Sequence, residues 1–176
     1  MKKIKQGGQK MNYGIVIFPP KELQDELNEY RKRYDSHYSL IPPHITLKYA
    51  HSISNLEQEV ERITNICHNA NSFTLQTKGI NTFFPTTNVV YLSLEKSEEI
   101  FKLRDQLHEE NNPIDQKFPF VPHLTIGQDL NEVELHDILG ELKMKQLKYT
   151  FLVDRLHLLY QLENGIWSVY QTFLLK

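Results

Sequence analysis

Two five-residue stretches, "PHITL" at Pro43–Leu47 and "PHLTI" at Pro122–Ile126, carry Pro, His and Thr in the same register, with Ile or Leu in the other two places. Side chains on an extended strand alternate faces. His44 and Thr46 therefore share one face, as do His123 and Thr125, while Ile45, Leu47, Leu124 and Ile126 point the other way into a core. Pro43 and Pro122 lack a backbone N–H, so each marks a strand's first residue or an edge. That places each polar pair near an accessible strand end. Two imidazoles and two hydroxyls facing one another suit a phosphodiester. Histidine has an ordinary pKa of about 6.5, so near neutral pH one ring can be neutral and the other protonated. The neutral ring takes a proton from an attacking water or hydroxyl, and the protonated ring gives one to the leaving oxygen. The threonine hydroxyls can donate to the non-bridging oxygens, where charge builds in the transition state. This arrangement calls for no metal and no cofactor.

The two histidines lie 79 positions apart (123 − 44). A lone His-x-Thr carries no information, but a repeat in which each copy precedes a predicted helix does. Reading each His as a satisfied core group and each Thr as a strand filler explains the residue types and leaves the repetition unexplained.

The elements that must position these words are legible from periodicity. "NYGIVIF" (Asn12–Phe18) reads as a buried strand stopped by Pro19-Pro20, and "KELQDELNEYRKRYD" as a helix with Leu23, Leu27 and Tyr30 on its apolar stripe. Ser54–Ala70 is a second helix, with Ser54 capping and Glu57 three residues on, and with Leu56, Val60, Ile63 and Cys67 on its apolar face. "FTLQTKGINTFFP", bent at Gly79, and "NVVYLSLE" read as strands, and Ser97 caps a third helix running to Glu110. Asn131–Leu142 is a fourth helix, and the stretch from Tyr149 reads as a two-strand hairpin turning at Glu163-Asn164-Gly165. Each repeated word sits on a strand leading into a helix, the trace of an internal duplication. The predicted class is α+β: two related lobes, each a small sheet backed by helices, facing each other across a cleft.

Bulk properties bound the rest. The chain of 176 residues, 40% hydrophobic and 24% charged, fits one domain. Residues 1–11 read as a flexible N-terminal extension and residues 12–176 as a single domain with two lobes. A net charge of −2 predicts no general attraction to long nucleic acid or to an anionic membrane. The single cysteine, Cys67, excludes an internal disulfide and suits the cytoplasm. No apolar run is long enough to span a membrane.

Other residues read more plainly. Lys48 shares the His44/Thr46 face and could neutralise a phosphate, or be a solvated strand-end lysine. Tyr13, Phe83, Phe84, Tyr91 and Phe120 could stack a base, though most aromatics are core. His37, His51, His68, His108, His136 and His157 lack a partner word, and no metal-ligand spacing occurs among them. "YRKRYD" (Tyr30–Asp35) gathers three cations at a helix C-terminus, favourable to its dipole, with an RNA contact as the sharper alternative. Cys67 reads as a buried small hydrophobe.

Two H-x-T-hydrophobic (HXTX) tetrads so spaced in a chain of this size resemble the 2H phosphoesterase superfamily, which includes bacterial 2′,5′-RNA ligase-like (LigT-like) proteins and cyclic nucleotide phosphodiesterases. "YGIVIFPP", "SLIPPHITLK", "FVPHLTIGQDL" and "DRLHLLYQLENGIWSVYQTF" resemble, more narrowly, the YjcG-like phosphoesterases of Gram-positive bacteria. The likeness runs from about Asn12 to Phe173. It implies a bilobal LigT-like fold with a pseudo-two-fold axis and metal-independent hydrolysis of a phosphodiester in a small nucleotide or at an RNA end. It also implies that His44 is the proton donor, His123 the proton acceptor, and Thr46 and Thr125 the phosphate-binding residues. The near-identical words do not themselves assign donor and acceptor. Two other readings use the same cleft: a 2′,5′-RNA ligase running the chemistry backward, and a non-catalytic module that binds a nucleotide or RNA end.

Overall fold

The computed structural model describes residues 11–108 and 119–176; residues 1–10 of the expected extension, and residues 109–118 with the end of the expected third helix, lie outside the described residues. Eight strands and four helices follow in the order β1 (Asn12–Ile17), α1 (Lys21–Tyr34), β2 (Ile45–Ser52), α2 (Leu56–Asn69), β3 (Phe73–Thr82), β4 (Val90–Leu94), α3 (Glu98–Leu107), β5 (His123–Gly127), α4 (Glu132–Lys143), β6 (Thr150–Val153), β7 (Arg155–Gln161) and β8 (Trp167–Leu174).

The strands form two four-stranded sheets, ordered β2-β1-β7-β8 and β5-β4-β3-β6. Every neighbouring pair is antiparallel. The unit β1-α1-β2-α2 repeats as β4-α3-β5-α4, and each unit's second strand is the edge strand of its sheet. The expected pair of related lobes is present. The lobes brace one another: α1 of the first lies along β5 of the second, and α3 of the second along β2 of the first.

The same physics that shapes the elements ties the lobes. On α1 the buried positions are Leu23, Leu27 and Arg31, an i, i+4 stripe; the expected Tyr30 is half-buried and packs against the same core beside it. Gly127 ends β5 without a side chain, and a Cβ there would sit 3.2 Å from the Tyr34 carbonyl oxygen. That space lets the end of α1 approach closely enough for the Gln128 N–H to donate to Tyr34 O at 3.0 Å. On the opposite side, Arg62 of α2 donates to the terminal α3 carbonyls of Gln106 (3.2 Å) and Leu107 (2.9 Å), as basic side chains do at helix C-termini.

Two expectations are corrected. The cap of α2 is Asn55, whose side chain accepts from Gln58 N at 3.1 Å, and not Ser54; asparagine caps as well as serine, and the helix starts one residue later. The final stretch is three strands rather than a two-strand hairpin. Asp154 divides it: β6 pairs with β3 in the second sheet, and β7 begins the first sheet's hairpin. An unbroken apolar alternation does not reveal a change of partner. The β7–β8 turn lies where expected, with Gly165 at φ 85, and β3 shifts register between Thr77 and Gly79 as expected of a bend. Cys67 is buried at 1% exposure. Among the described residues no helix is long and apolar enough to cross a membrane.

The apolar faces of both sheets and the helices share one core. Leu124, wholly buried beneath the second word, anchors β5 in it. Leu124→Ala is expected to lower stability by about 2–5 kcal/mol, as buried leucine truncations do; a urea midpoint near the wild-type value would contradict that anchoring role.

Candidate active site

His44 immediately precedes β2 and His123 opens β5, so both rings stand at the start of an edge strand. The alternation is as the sequence reads: Ile45, Leu47, Leu124 and Ile126 are buried, while Thr46, Lys48 and Thr125 are half-buried on the other face. Those other faces meet. One cavity of about 470 Å³ is lined by His44, Thr46, Lys48, His123 and Thr125 together. All five predicted site residues are therefore in one place.

The two rings are fixed alike. His44 Nδ1 lies 2.8 Å from Pro42 O, and His123 Nδ1 lies 2.6 Å from Val121 O, each the carbonyl two residues back. A carbonyl only accepts, so Nδ1 carries the proton and donates in both. Each Nε2 is thereby left as the titrating atom. Burial lowers the His44 pKa from 6.5 to about 4; the Pro42 carbonyl raises it, Arg31 and His123 lower it, and Asp35 raises it. Burial also lowers His123, against the opposing pull of the Val121 carbonyl. Both rings line the cleft. In the free protein both shifts favour the neutral ring.

The surroundings differ. Phe83 stacks on Tyr91 at 4.2 Å, and His123 sits 4.9 Å from the first ring and 5.1 Å from the second. Tyr91 is the strand partner of Thr125; the residue paired with Thr46 is the small Val16. On the His44 side the wall is Gly14, Val16, Leu159 and Trp167. A Cβ at position 14 would rest in ordinary van der Waals contact with the Trp167 ring at 3.5 Å, so Gly14 and the indole are neighbours in this wall. Of the aromatic residues named from sequence, Phe83 lines the cleft and Tyr91 backs it. Tyr13 faces the other side of β1, edge-on to Tyr170, while Phe84 packs on His136 and Phe120 on Phe101. His157 pairs with Thr172 and packs on Phe18 outside the cleft.

Charge in the cleft is organised by ion pairs. Lys48 is no solvated strand end: its side chain is 12% exposed and its amine lies 3.3 Å from Glu59 Oε1. Arg62 holds the same carboxylate at 2.7 and 2.8 Å. The three cations of "YRKRYD" also divide. Lys32 and Arg33 are exposed, but Arg31 is buried and pairs through Nε with Asp35 Oδ2 at 2.7 Å. Its Nη2 donates to Ile41 O at 2.8 Å, three residues before His44. Asp35 Oδ1 accepts from His37 N at 2.9 Å and from Gln128 Nε2 at 2.7 Å. Arg31, Asp35, Gln128 and Trp167 all line the cleft; sequence reading gave the last three no role there and offered Arg31 only within a stretch read as a dipole cluster or RNA contact. The one available signal was Arg31 standing four residues after Leu27 on an apolar stripe. Among the described residues, no three His, Cys, Asp or Glu side chains converge as a metal site requires.

With this geometry described, comparison places the chain among known proteins. The model of the 2′-5′ RNA ligase superfamily matches residues 19–165. A protein of Halalkalibacterium halodurans named "Putative phosphoesterase" is 46% identical over 165 residues, 93% of this chain and 96% of that one. One of the same description from Geobacillus kaustophilus is 45% identical over 166 residues, with 93% and 96% covered. Among solved structures, E. coli LigT complexed with 3′-AMP aligns with a TM-score of 0.70 at 15% identity, over 96% of this chain and 99% of that one. TT0787 of Thermus thermophilus aligns with a TM-score of 0.62 at 18% identity, over 94% and 98%. At such identities the likeness is one of fold, and the fold is LigT-like.

The His44 shift carries a stability consequence. The folded pKa of about 4 lies below the ordinary 6.5, so between those values the unfolded chain binds more protons and stability falls as pH is lowered. The wild-type melting temperature is expected to fall more between about pH 7 and about pH 4.5 than that of His44→Gln. Equal falls would mean that His44 is not held neutral by the fold.

Proposed function

The chain belongs to the 2′-5′ RNA ligase superfamily, and we propose that it hydrolyses a phosphodiester by paired-histidine general acid/base catalysis without a metal. The substrate class is a cyclic nucleotide, or a 2′,3′-cyclic phosphate or 2′,5′ linkage at an RNA end. Two His–Thr pairs, brought by pseudo-two-fold-related edge strands into one cleft, carry this reading.

The phosphoryl group sits between the pairs. Thr46 and Thr125 donate hydroxyl hydrogen bonds to its non-bridging oxygens, and Lys48 adds a positive charge beside Thr46. His123 Nε2 takes a proton from water as the water oxygen bonds to phosphorus. The bond from phosphorus to the leaving oxygen breaks, and His44 Nε2 delivers the proton that oxygen needs. Because burial favours neutral rings in the free protein, the proton on His44 arrives with the anionic substrate, which compensates the buried charge. A cavity of about 470 Å³ takes one nucleotide, and a net charge of −2 supplies no field for a long nucleic acid. The LigT structures with 3′-AMP and ATP support a small nucleotide as the ligand class here.

The test is turnover of 2′,3′-cyclic nucleotides with EDTA present. His44→Ala and His123→Ala are each expected to lose roughly 10²–10⁴-fold in rate. Wild-type rates in both variants would refute the mechanism, and a lengthened product from cyclic-ended and 5′-hydroxyl RNA would reveal ligation instead. Since kcat/KM reports the free enzyme's acid and base, and both pKa values are lowered from 6.5, its pH optimum is expected on the acid side of 6.5. An optimum well above that value would show that the rings are not held neutral in the free protein.

A further inference from the structure

The two words are nearly the same, yet the helix ends beside them are not. Asp35 closes α1 and His108 closes α3, each four residues after a buried arginine, Arg31 and Arg104. In the first lobe the helix-end residue is a carboxylate that faces the arginine, with side-chain exposures of 2% for Arg31 and 1% for Asp35. In the second lobe it is an imidazole bonded to the Arg104 carbonyl at 2.8 Å, and Arg104 pairs instead with the exposed Asp105. Among the described residues the carboxylate beside the cleft therefore has no counterpart across the axis.

Arg31 has a geometric task. Its Nη2 holds Ile41 O at 2.8 Å and its Nη1 holds Asn28 Oδ1 at 3.0 Å, which fixes the turn through Pro42 and Pro43 that aims His44. The cost is a guanidinium lining the same cleft as an imidazole that must carry positive charge. Among the described residues, the charged and titratable groups that line the cleft with His44 are Arg31 from α1, Asp35 at its C-terminal cap, His37 from the following turn, Lys48 and Tyr49 from β2, and His123 from β5. Of these, Asp35 is the one anion. It touches the guanidinium directly and is held in place by His37 N and Gln128 Nε2.

We propose that Asp35 is a positioning residue for the acid half of the reaction: it locks Arg31 against the turn that aims His44 and cancels the guanidinium charge so that His44 can carry the departing proton. Without it, the anchoring arginine would expel that proton. The direction of the Asp35 effect on His44, upward against Arg31, agrees. The proposal rests on the reading of His44 as proton donor.

The test compares two substrates on the full chain: a nucleoside 2′,3′-cyclic phosphate, whose leaving ribose oxygen needs a proton, and a nucleoside 3′-(4-nitrophenyl) phosphate, whose phenolate leaves without one. Asp35→Asn keeps shape and loses charge. The ratio of cyclic to aryl kcat/KM is expected to fall about tenfold or more, within the range attributed to general acids. An unchanged ratio, with both rates reduced equally, would make Asp35 merely structural and overturn the proposal. The double variant Arg31→Gln/Asp35→Asn removes both charges while leaving an amide at position 31 that can donate to the Ile41 carbonyl, and is expected to recover the ratio toward wild type. It also serves if Asp35→Asn does not fold; a ratio as low as that of a chain keeping Arg31 without Asp35, or tenfold below wild type, overturns the charge-cancelling role. Absence of wild-type turnover on both substrates would instead defeat the phosphoesterase reading itself.

Discussion

A carboxylate kept from water must be satisfied on every side, because an unpaired buried charge costs several kcal/mol. Asp35 meets that demand with groups from three separate segments: Arg31 one turn earlier on α1, the backbone N–H of His37 in the following turn, and the amide of Gln128 beyond β5. The last belongs to the other lobe. Arg31 of the same lobe neutralises its charge, and the amide from the other lobe completes its hydrogen bonds, so docking the lobes finishes the shell around this carboxylate. The same ion pair grips the carbonyl of Ile41 and so reaches His44. What holds the halves together also aims the first imidazole.

On that scaffold a duplicated word acquires two characters. Both histidines use the carbonyl two residues back to fix their tautomer, and both threonines share their face. Beyond that the copies part. His123 stands against the rings of Phe83 and Tyr91, while His44 stands near an ion pair and a wall of small residues under Trp167. A pseudo-symmetric backbone supplies two equivalent positions, and unlike neighbours make their proton affinities differ. An acid and a base can then come from one repeated sequence.

Much of this was legible beforehand, for a physical reason. Alternation with period two is local, so the faces of His44, Thr46, His123 and Thr125 followed from the words themselves. Helix periodicity likewise gave α1 to α4, with the α2 cap displaced only from Ser54 to Asn55. The missing parts were those that depend on distant partners. Arg31 looked like a dipole cation because its carboxylate, its carbonyl and the strand it braces are brought near only by the fold. Gln128 drew no role because its partner lies 93 residues away. The break at Asp154 was hidden because β6 and β7 carry the same alternation and differ only in which sheet receives them.

That break has a consequence for how the molecule is made. The first sheet takes β1 and β2 and then β7 and β8, while the second sheet takes everything from β3 to β6. One lobe is threaded through the other in chain order. As synthesis proceeds, the strand bearing His44 emerges early and waits for β7 and β8 to complete its sheet, by which time the partner lobe is already available to dock. No single cut yields two intact halves: any fragment that ends before β7 leaves the first word on a two-stranded ribbon, which is marginal in water. The repeat points to an ancestor with one word, but the interleaved chain no longer contains that ancestor as a separable piece.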